Sequence, residues 1–85
     1  MPQVKVYTTA YCPYCVRAKS LLTNKGVPFD EINLEGKHQE LLDLKEKTGM
    51  RTVPQIFVGD HFVGGFQELS AINQSGELDR LLNQD

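Results

Sequence analysis

The chain lacks both surplus charge and long apolar segments. Nine Lys and Arg residues stand against eleven Asp and Glu residues, which gives a formal net charge of −2 at pH 7. Without a basic surplus, neither nucleic acid nor an anionic membrane is an expected partner. No apolar run approaches the ~18–20 residues of a membrane span. The first residues, MPQVKVYTT, also lack the apolar core of a secretory signal, so we expect a reducing cytoplasmic location.

Cysteine is equally scarce, and tryptophan is absent. The only two cysteines are Cys12 and Cys15, separated by two residues. We expect the 85 residues to form one domain over 1–85, long enough to bury a single core without disulfide or metal support. In a reducing compartment, a close cysteine pair indicates redox chemistry or a metal more often than a structural disulfide.

Hydrophobic periodicity predicts the element order β-α-β-α-β-β-α. The predicted elements are a strand over 3–8, a helix from Pro13 to a stop at Gly26, a strand over 27–34, a helix between Gly36 and Gly49, two short strands (56–58 and 62–63) joined by a turn at Gly59-Asp60, and a helical tail over 67–82 interrupted at Ser75-Gly76. The first half is typical of a βαβ unit with parallel strands, and the second adds an antiparallel hairpin to the same sheet.

The second predicted helix carries two more specific expectations. Leu41, Leu42 and Leu44 are expected to face inward. Asp43 is expected to pair with Lys47 one helical turn later.

The cysteine pair lies where the first strand gives way to the first helix. Pro13 suits the first helical position, which places Cys12 at the helix N-cap. The free N–H groups and the helix dipole there favour an anion, so the pKa of the Cys12 thiol should fall below the usual value of about 8.5. Cys15 should be buried against the sheet. We therefore predict that Cys12 attacks a disulfide sulfur and that Cys15 then resolves the mixed disulfide.

Two simpler interpretations of the pair are weaker. A zinc site needs two more ligands, and the only histidines, His38 and His61, do not match a usual Cys₂His₂ spacing. A structural Cys12–Cys15 bridge would close a very small loop and stabilise little.

Two further motifs accompany the cysteines. Taken alone, Pro54 in TVPQIF is an ordinary trans proline at the start of a strand. Beside a CxxC corner, a cis Pro54 would instead leave the Val53 backbone free to pair with an extended peptide. Gly64 and Gly65 permit close approach of a ligand backbone, and the helix start that follows offers N–H groups to a carboxylate. Together the three motifs predict a groove with backbone-rich edges.

With these motifs in place, the chain resembles a dithiol glutaredoxin of the short bacterial type over nearly its whole length. The resemblance rests on YT before the cysteines, CPYC with RAK one residue later, TVPQIF, and GG with an acidic residue after it. It implies an α/β, thioredoxin-like fold with a four-stranded mixed sheet flanked by three to four helices. It also implies an enzyme that reduces protein disulfides and protein–glutathione mixed disulfides, with glutathione as cosubstrate and no bound cofactor or metal. A monomer is expected, and the protein target stays open, with ribonucleotide reductase among the candidates.

The resemblance assigns roles to individual positions. Cys12 becomes the glutathionylated nucleophile and Cys15 the resolving thiol. Val53 would pair with the cysteinyl backbone of glutathione, beside a cis Pro54. The set implied to bind glutathione is Tyr14, Arg51, Thr52, Val53, Pro54, Gln55, Gly65, Phe66, Gln67 and Glu68.

The resemblance also assigns the two ends of glutathione. Arg51 and Gln55 would hold the glycyl carboxylate. The backbone of Gly65 and Phe66 would hold the γ-glutamyl end, and Glu68 would pair with its amino group.

The chain departs from the family pattern in three ways. Thr9 and Ala10 stand where many relatives have a lysine that helps to hold glutathione and the thiolate. Gln67-Glu68 replaces a Ser, Thr or Asp followed by Asp, and Phe66 replaces a frequent cysteine. The missing lysine leaves open a related redoxin that is recharged by thioredoxin reductase. An iron–sulfur carrier is the other alternative, although such relatives usually have a single active-site cysteine followed by glycine.

Overall fold

The computed structural model describes residues 2–83. Its elements are β1 (Val4–Thr8), α1 (Pro13–Asn24), β2 (Asp30–Asn33), α2 (His38–Thr48), β3 (Gln55–Val58), β4 (His61–Gly64), α3 (Phe66–Ser75) and α4 (Glu77–Leu82). The predicted order is confirmed. The C-terminal helical region is divided into α3 and α4 at Gly76, whose φ of 88° ends α3 in the left-handed region that glycine tolerates.

The four strands form one mixed sheet in the order β2-β1-β3-β4. β1 pairs with β2 in parallel and with β3 in antiparallel fashion, and β3 and β4 form the antiparallel hairpin. The second strand is shorter than predicted: it begins at Asp30, opposite Lys5, rather than at residue 27. Pro28 lacks the N–H needed for a ladder hydrogen bond, so the preceding residues do not join the sheet.

The main core lies between one face of the sheet and the helices α1, α3 and α4. Its buried side chains are Val4, Val6, Ala18, Leu22, Val27, Ile56, Val58, Leu69, Leu78, Leu81 and Leu82. β1 alternates buried and partly buried residues, as a strand does when its two faces have different neighbours. Because Cys15 lies on the same buried face of α1 as Ala18 and Leu22, this packing also holds the cysteine pair against the end of the sheet.

The second helix, α2, differs in detail from the sequence prediction. Leu44 is buried, but Leu42 is 42% exposed. The carboxylate of Asp43 accepts a hydrogen bond from Gln39 Nε2 at 2.9 Å, while the Lys47 ammonium lies 5.9 Å from the centre of the Phe57 ring. The predictions that Leu42 faces inward and that Asp43 pairs with Lys47 are therefore wrong. Leu42 lies about 100° around the helix from Leu41, away from the face that Leu44 occupies.

Candidate active site

A tight connection between β1 and α1 carries the cysteine pair. Cys12 is the N-cap of α1, with φ −116° and ψ 95°, and Pro13 is the first helical residue. The Cys12 Sγ accepts a hydrogen bond from the Cys15 backbone N–H at 3.1 Å. That N–H belongs to the first turn of the helix, where donors have no helical partner. A negative charge on this sulfur would be stabilised by the hydrogen bond and by the helix dipole.

The two sulfurs differ in their access to solvent. They are joined in a disulfide, with the Cα atoms 5.1 Å apart. Cys12 is partly exposed, whereas Cys15 is 2% exposed. An incoming sulfur can therefore reach Cys12 but not Cys15. The predicted division of roles requires this difference, although the roles themselves stay a prediction.

A groove of about 320 Å³ lies beside the cysteine pair. The Val53 carbonyl oxygen at its edge is 3.6 Å from the Cys12 Sγ, and the Val53–Pro54 peptide bond is cis. Eight of the ten residues that the resemblance assigns to glutathione line this groove: Tyr14, Thr52, Val53, Pro54, Gly65, Phe66, Gln67 and Glu68. The fold thus brings together three segments that are far apart in the chain.

The far edge of the groove is the N-terminus of α3. Gly65 is the N-cap, and its N–H donates to Glu68 Oε1 at 2.7 Å. This is one half of a capping box, in which the side chain at the third helical position satisfies the N-cap donor. Glu68 therefore has a structural partner already, while its carboxylate keeps further acceptor capacity toward the groove.

Gln55 and Arg51 are not brought into the groove. The Gln55 side chain is fully buried. Its amide nitrogen donates to the carbonyls of Met50 and Thr52 at 2.8 and 3.1 Å, and its oxygen accepts from the Thr48 hydroxyl at 2.8 Å. The structure contradicts the expected contact between Gln55 and a ligand carboxylate. The Gln55 side chain is buried and instead binds the backbone of the loop before Pro54. Arg51 is exposed and does not line the groove.

Met50 lines the groove and was not predicted from the sequence. Its Cε lies 3.2 Å from the position that a Cβ on Gly65 would occupy, so it fills the space between the two backbone edges. The only available signal was its place directly before RTVP, since an apolar side chain in a loop carries no signature of its own.

These features, a CxxC pair at a helix N-cap beside a cis proline and a glycine pair, agree with the comparison to known families. The glutaredoxin family model matches residues 4–63. The chain belongs to the glutaredoxin family.

Individual glutaredoxins agree closely with the chain. The glutaredoxin of Pseudomonas aeruginosa is 52% identical over 83 residues, covering 98% of this chain and 99% of that protein. The solution structure of glutaredoxin from Brucella melitensis superposes with a TM-score of 0.87 at 44% identity, covering 96% of this chain and 89% of the other. The crystal structure of a buckwheat glutaredoxin–glutathione complex gives a TM-score of 0.84 at 31% identity, covering 95% and 76%. The predicted thioredoxin-like fold and the enzyme class, a glutathione-dependent disulfide oxidoreductase, are confirmed.

A second cavity of about 410 Å³ borders Cys12 and shares no lining residue with the groove. Its lining residues are Thr9, Tyr11, Cys12, Pro13, Val16, Lys19, Glu31 and Asn33. The Glu31 carboxylate accepts hydrogen bonds from the Thr8 hydroxyl at 2.8 Å and from the Lys19 ammonium at 3.1 Å. The Thr8 hydrogen bond, followed by the contact with Lys19, lowers the pKa of Glu31.

Residues 2–83 hold neither a candidate metal cluster nor a membrane-spanning helix. There, no three His, Cys, Asp or Glu side chains are grouped closely enough to hold a metal ion. None of the helices in that range has the length and apolar character needed to cross a membrane.

Proposed function

We propose that this glutaredoxin reduces protein disulfides and protein–glutathione mixed disulfides, that glutathione is its electron donor, and that Cys12 is the nucleophile. One observation carries the proposal. The Cys12 sulfur is the accessible one of the pair. It accepts a hydrogen bond from the Cys15 N–H at 3.1 Å and lies 3.6 Å from the Val53 carbonyl oxygen. A thiolate is therefore stabilised at the one place where a disulfide can also be aligned.

With a glutathionylated protein, the Cys12 thiolate attacks the glutathione sulfur. A Cys12–glutathione disulfide forms as the protein thiolate leaves. A second glutathione thiolate then attacks the glutathione sulfur bound to Cys12. This step releases oxidised glutathione and regenerates the Cys12 thiolate, so two electrons pass from glutathione to the substrate.

With a protein disulfide, Cys12 attacks one substrate sulfur and the other leaves as a thiolate. Cys15 then attacks the Cys12 sulfur of the mixed disulfide, which frees the second substrate thiolate and forms the Cys12–Cys15 disulfide. Burial of Cys15 suits this order, because only the neighbouring Cys12 sulfur can reach it. Two glutathione molecules return the pair to the dithiol.

The groove supplies the groups that glutathione needs. The exposed backbone of Val53 pairs with the cysteinyl unit as a short added strand. The N-terminus of α3 at Gly65 and Phe66 receives the γ-glutamyl carboxylate, and Glu68 receives the amino group. The existence of a buckwheat glutaredoxin–glutathione complex supports glutathione as the ligand of this groove. Arg51 reaches the glycyl carboxylate from outside the groove, without Gln55.

The same proposal covers the setting of the enzyme. It acts as a monomer of one domain, residues 1–85, in a reducing cytoplasm, where glutathione keeps the Cys12–Cys15 pair reduced. Ribonucleotide reductase is one candidate target among disulfide-bearing proteins.

The test is turnover of a glutathionylated peptide by the purified protein. One series uses NADPH, glutathione and glutathione reductase, and a parallel series uses NADPH and thioredoxin reductase. We expect turnover in the glutathione series alone, and none with Cys12→Ser. Turnover in the thioredoxin reductase series alone would favour the second candidate, a redoxin with a different electron source, for which Thr9 in place of lysine is the supporting observation.

A further inference from the structure

Tyr11, directly before the nucleophile, has no structural reason to be a tyrosine. Its side chain is fully exposed, at 102% of the reference area, so the ring packs against nothing in the protein. Its backbone has a φ of 54°, the only positive φ of a non-glycine residue within 2–83. Glycine, asparagine or aspartate would adopt this left-handed conformation more readily.

Exposed apolar side chains are concentrated around Cys12. Among residues 2–83, four large hydrophobic residues are exposed, and three of them, Tyr11, Tyr14 and Val16, lie within four positions of Cys12. Tyr14 faces the groove that the proposed function assigns to glutathione. Tyr11 and Val16 instead line the second cavity, the one that Cys12 itself lines.

This arrangement limits what the Tyr11 ring can contact. The ring contacts no core residue, and Tyr11 lines the second cavity, which shares no lining residue with the glutathione groove. When Cys12 forms a mixed disulfide with a target protein, the target residues next to the bonded cysteine must lie over the surface that surrounds Cys12. The second cavity is the part of that surface which glutathione leaves free.

We propose that Tyr11 is a specificity-determining residue that recognises the target protein: its ring, with Val16, packs against an apolar side chain adjacent to the target's reactive cysteine. The inference rests on the proposed role of Cys12 as the nucleophile. Burying an apolar side chain against the ring favours the transition state for attack on that target over attack on a polar-flanked one.

The test uses two short peptides that differ only in the residues flanking a single cysteine, leucine in one and serine in the other. The cysteine of each carries a thionitrobenzoate group through a disulfide. Pre-reduced protein attacks the peptide sulfur, the Cys12–peptide disulfide forms, and the coloured thionitrobenzoate leaves with the bonding electron pair. The initial release gives a second-order rate constant without any glutathione.

Three variants separate recognition from other effects. Tyr11→Asn removes the ring but suits the left-handed backbone, Tyr11→Phe keeps the ring without its hydroxyl, and Leu42→Ser removes an exposed apolar side chain on α2, outside both cavities at Cys12. We expect the wild type to prefer the leucine peptide about fivefold, a difference typical of one partly buried aliphatic side chain. Tyr11→Phe and Leu42→Ser should keep this ratio. Tyr11→Asn should lower it to nearly one while the rate with the serine peptide is unchanged.

Three results would overturn the inference. The first is a wild-type protein without a preference for the leucine peptide, and the second is a Tyr11→Asn variant that keeps this preference. The third is an equal loss of rate with both peptides in Tyr11→Asn, which would mean that Tyr11 positions Cys12 rather than recognising the target. Because the peptide reaction uses no glutathione, it tests target recognition even if the glutathione-dependent turnover fails. Likewise, a failed peptide preference would leave the test of glutathione-dependent turnover unaffected.

Discussion

The carbonyl oxygen of Val53 lies 3.6 Å from the Sγ of Cys12, although 41 residues separate the two in the chain. The contact joins the loop before β3 to the N-terminus of α1. It brings the Val53 backbone beside the accessible sulfur, so under the proposed function a substrate paired with Val53 would have its own sulfur at Cys12. This contact underlies the proposed chemistry.

Replacing the resolving thiol should separate the two activities. Cys15→Ser should retain turnover of a glutathionylated peptide, because free glutathione can release Cys12, but lose catalytic reduction of a protein disulfide. Both are measured as NADPH consumption with glutathione reductase. Ser20→Ala, an exposed position on the same helix, serves as the control and should leave both activities intact. Loss of both activities in Cys15→Ser would contradict the proposed roles.

Glu68→Gln should distinguish helix capping from ligand binding. Glutamine can still accept from the Gly65 N–H at the third helical position, so the melting temperature should stay within about 3 °C of wild type. The charge that would pair with the amino group of glutathione is lost. We therefore expect the KM for glutathione to rise by roughly 5- to 20-fold, as for a lost charge-assisted hydrogen bond.

The matched control for Glu68→Gln is Glu46→Gln, an exposed carboxylate on α2. It should change neither the melting temperature nor the KM. An unaltered KM for glutathione in Glu68→Gln would mean that Glu68 caps α3 and does not bind glutathione.

Gln55→Leu should cost stability. The change removes three hydrogen bonds and leaves the carbonyls of Met50 and Thr52 and the hydroxyl of Thr48 without this partner. We expect the free energy of unfolding in urea to fall by about 2–4 kcal/mol. Gln39→Leu, which removes one exposed hydrogen bond on α2, should cost less than about 0.5 kcal/mol. A raised KM for glutathione with unchanged stability in Gln55→Leu would instead indicate that Gln55 contacts the ligand.

Gly64→Ala and Gly76→Ala should differ although both glycines have positive φ, 118° and 88°. A Cβ on Gly64 would lie 2.9 to 3.2 Å from three atoms of the Glu68 side chain, whereas one on Gly76 meets nothing within 4 Å. Gly76→Ala should therefore cost only the backbone penalty, about 1 kcal/mol of unfolding free energy. Gly64→Ala should cost about 2–4 kcal/mol and raise the KM for glutathione as Glu68 moves. Equal costs in the denaturation curves would show that Glu68 yields freely.

Because of Glu31, the free energy of unfolding should depend on pH in the acid range. The Thr8 hydroxyl, and then Lys19, lowers the pKa of Glu31 below its usual 4.5. Its stabilising contribution is thus complete above that value and is lost as the pH falls through the lower, folded-state pKa. The difference in unfolding free energy between wild type and Glu31→Gln should be largest above about pH 5.5 and shrink toward about pH 3.

Thr8→Val checks the cause of that pH dependence. It removes the larger of the two favourable contacts while Lys19 remains, so the pKa of Glu31 measured by NMR titration should rise toward its usual value. An unaltered titration in Thr8→Val would assign the shift to Lys19 instead.

Most of the fold could be predicted from local patterns. Alternation in β1, the stop at Gly26, the turn at Gly59-Asp60 and the break at Gly76 each depend on a few neighbouring residues, and each was predicted. Two of the errors depend on a ring or hydrogen-bond partner that hydrophobic periodicity does not indicate. Lys47 lies over the ring of Phe57 from β3 instead of pairing with Asp43 on its own helix. Gln55 follows TVP in sequence but is turned inward by the carbonyls of Met50 and Thr52.

The sequence by itself determined the chemistry. CPYC at a strand-to-helix corner specifies a dithiol at a helix N-terminus, because proline begins the helix and the two-residue spacing places both sulfurs in its first turn. Tertiary structure alone decided which groups meet at that dithiol. Met50 and the buried Gln55 acquire their places from the way the loop before β3 packs against the end of α2 and the start of α3. The contact between Val53 and Cys12 joins residues 41 positions apart, and no local pattern in the chain records it.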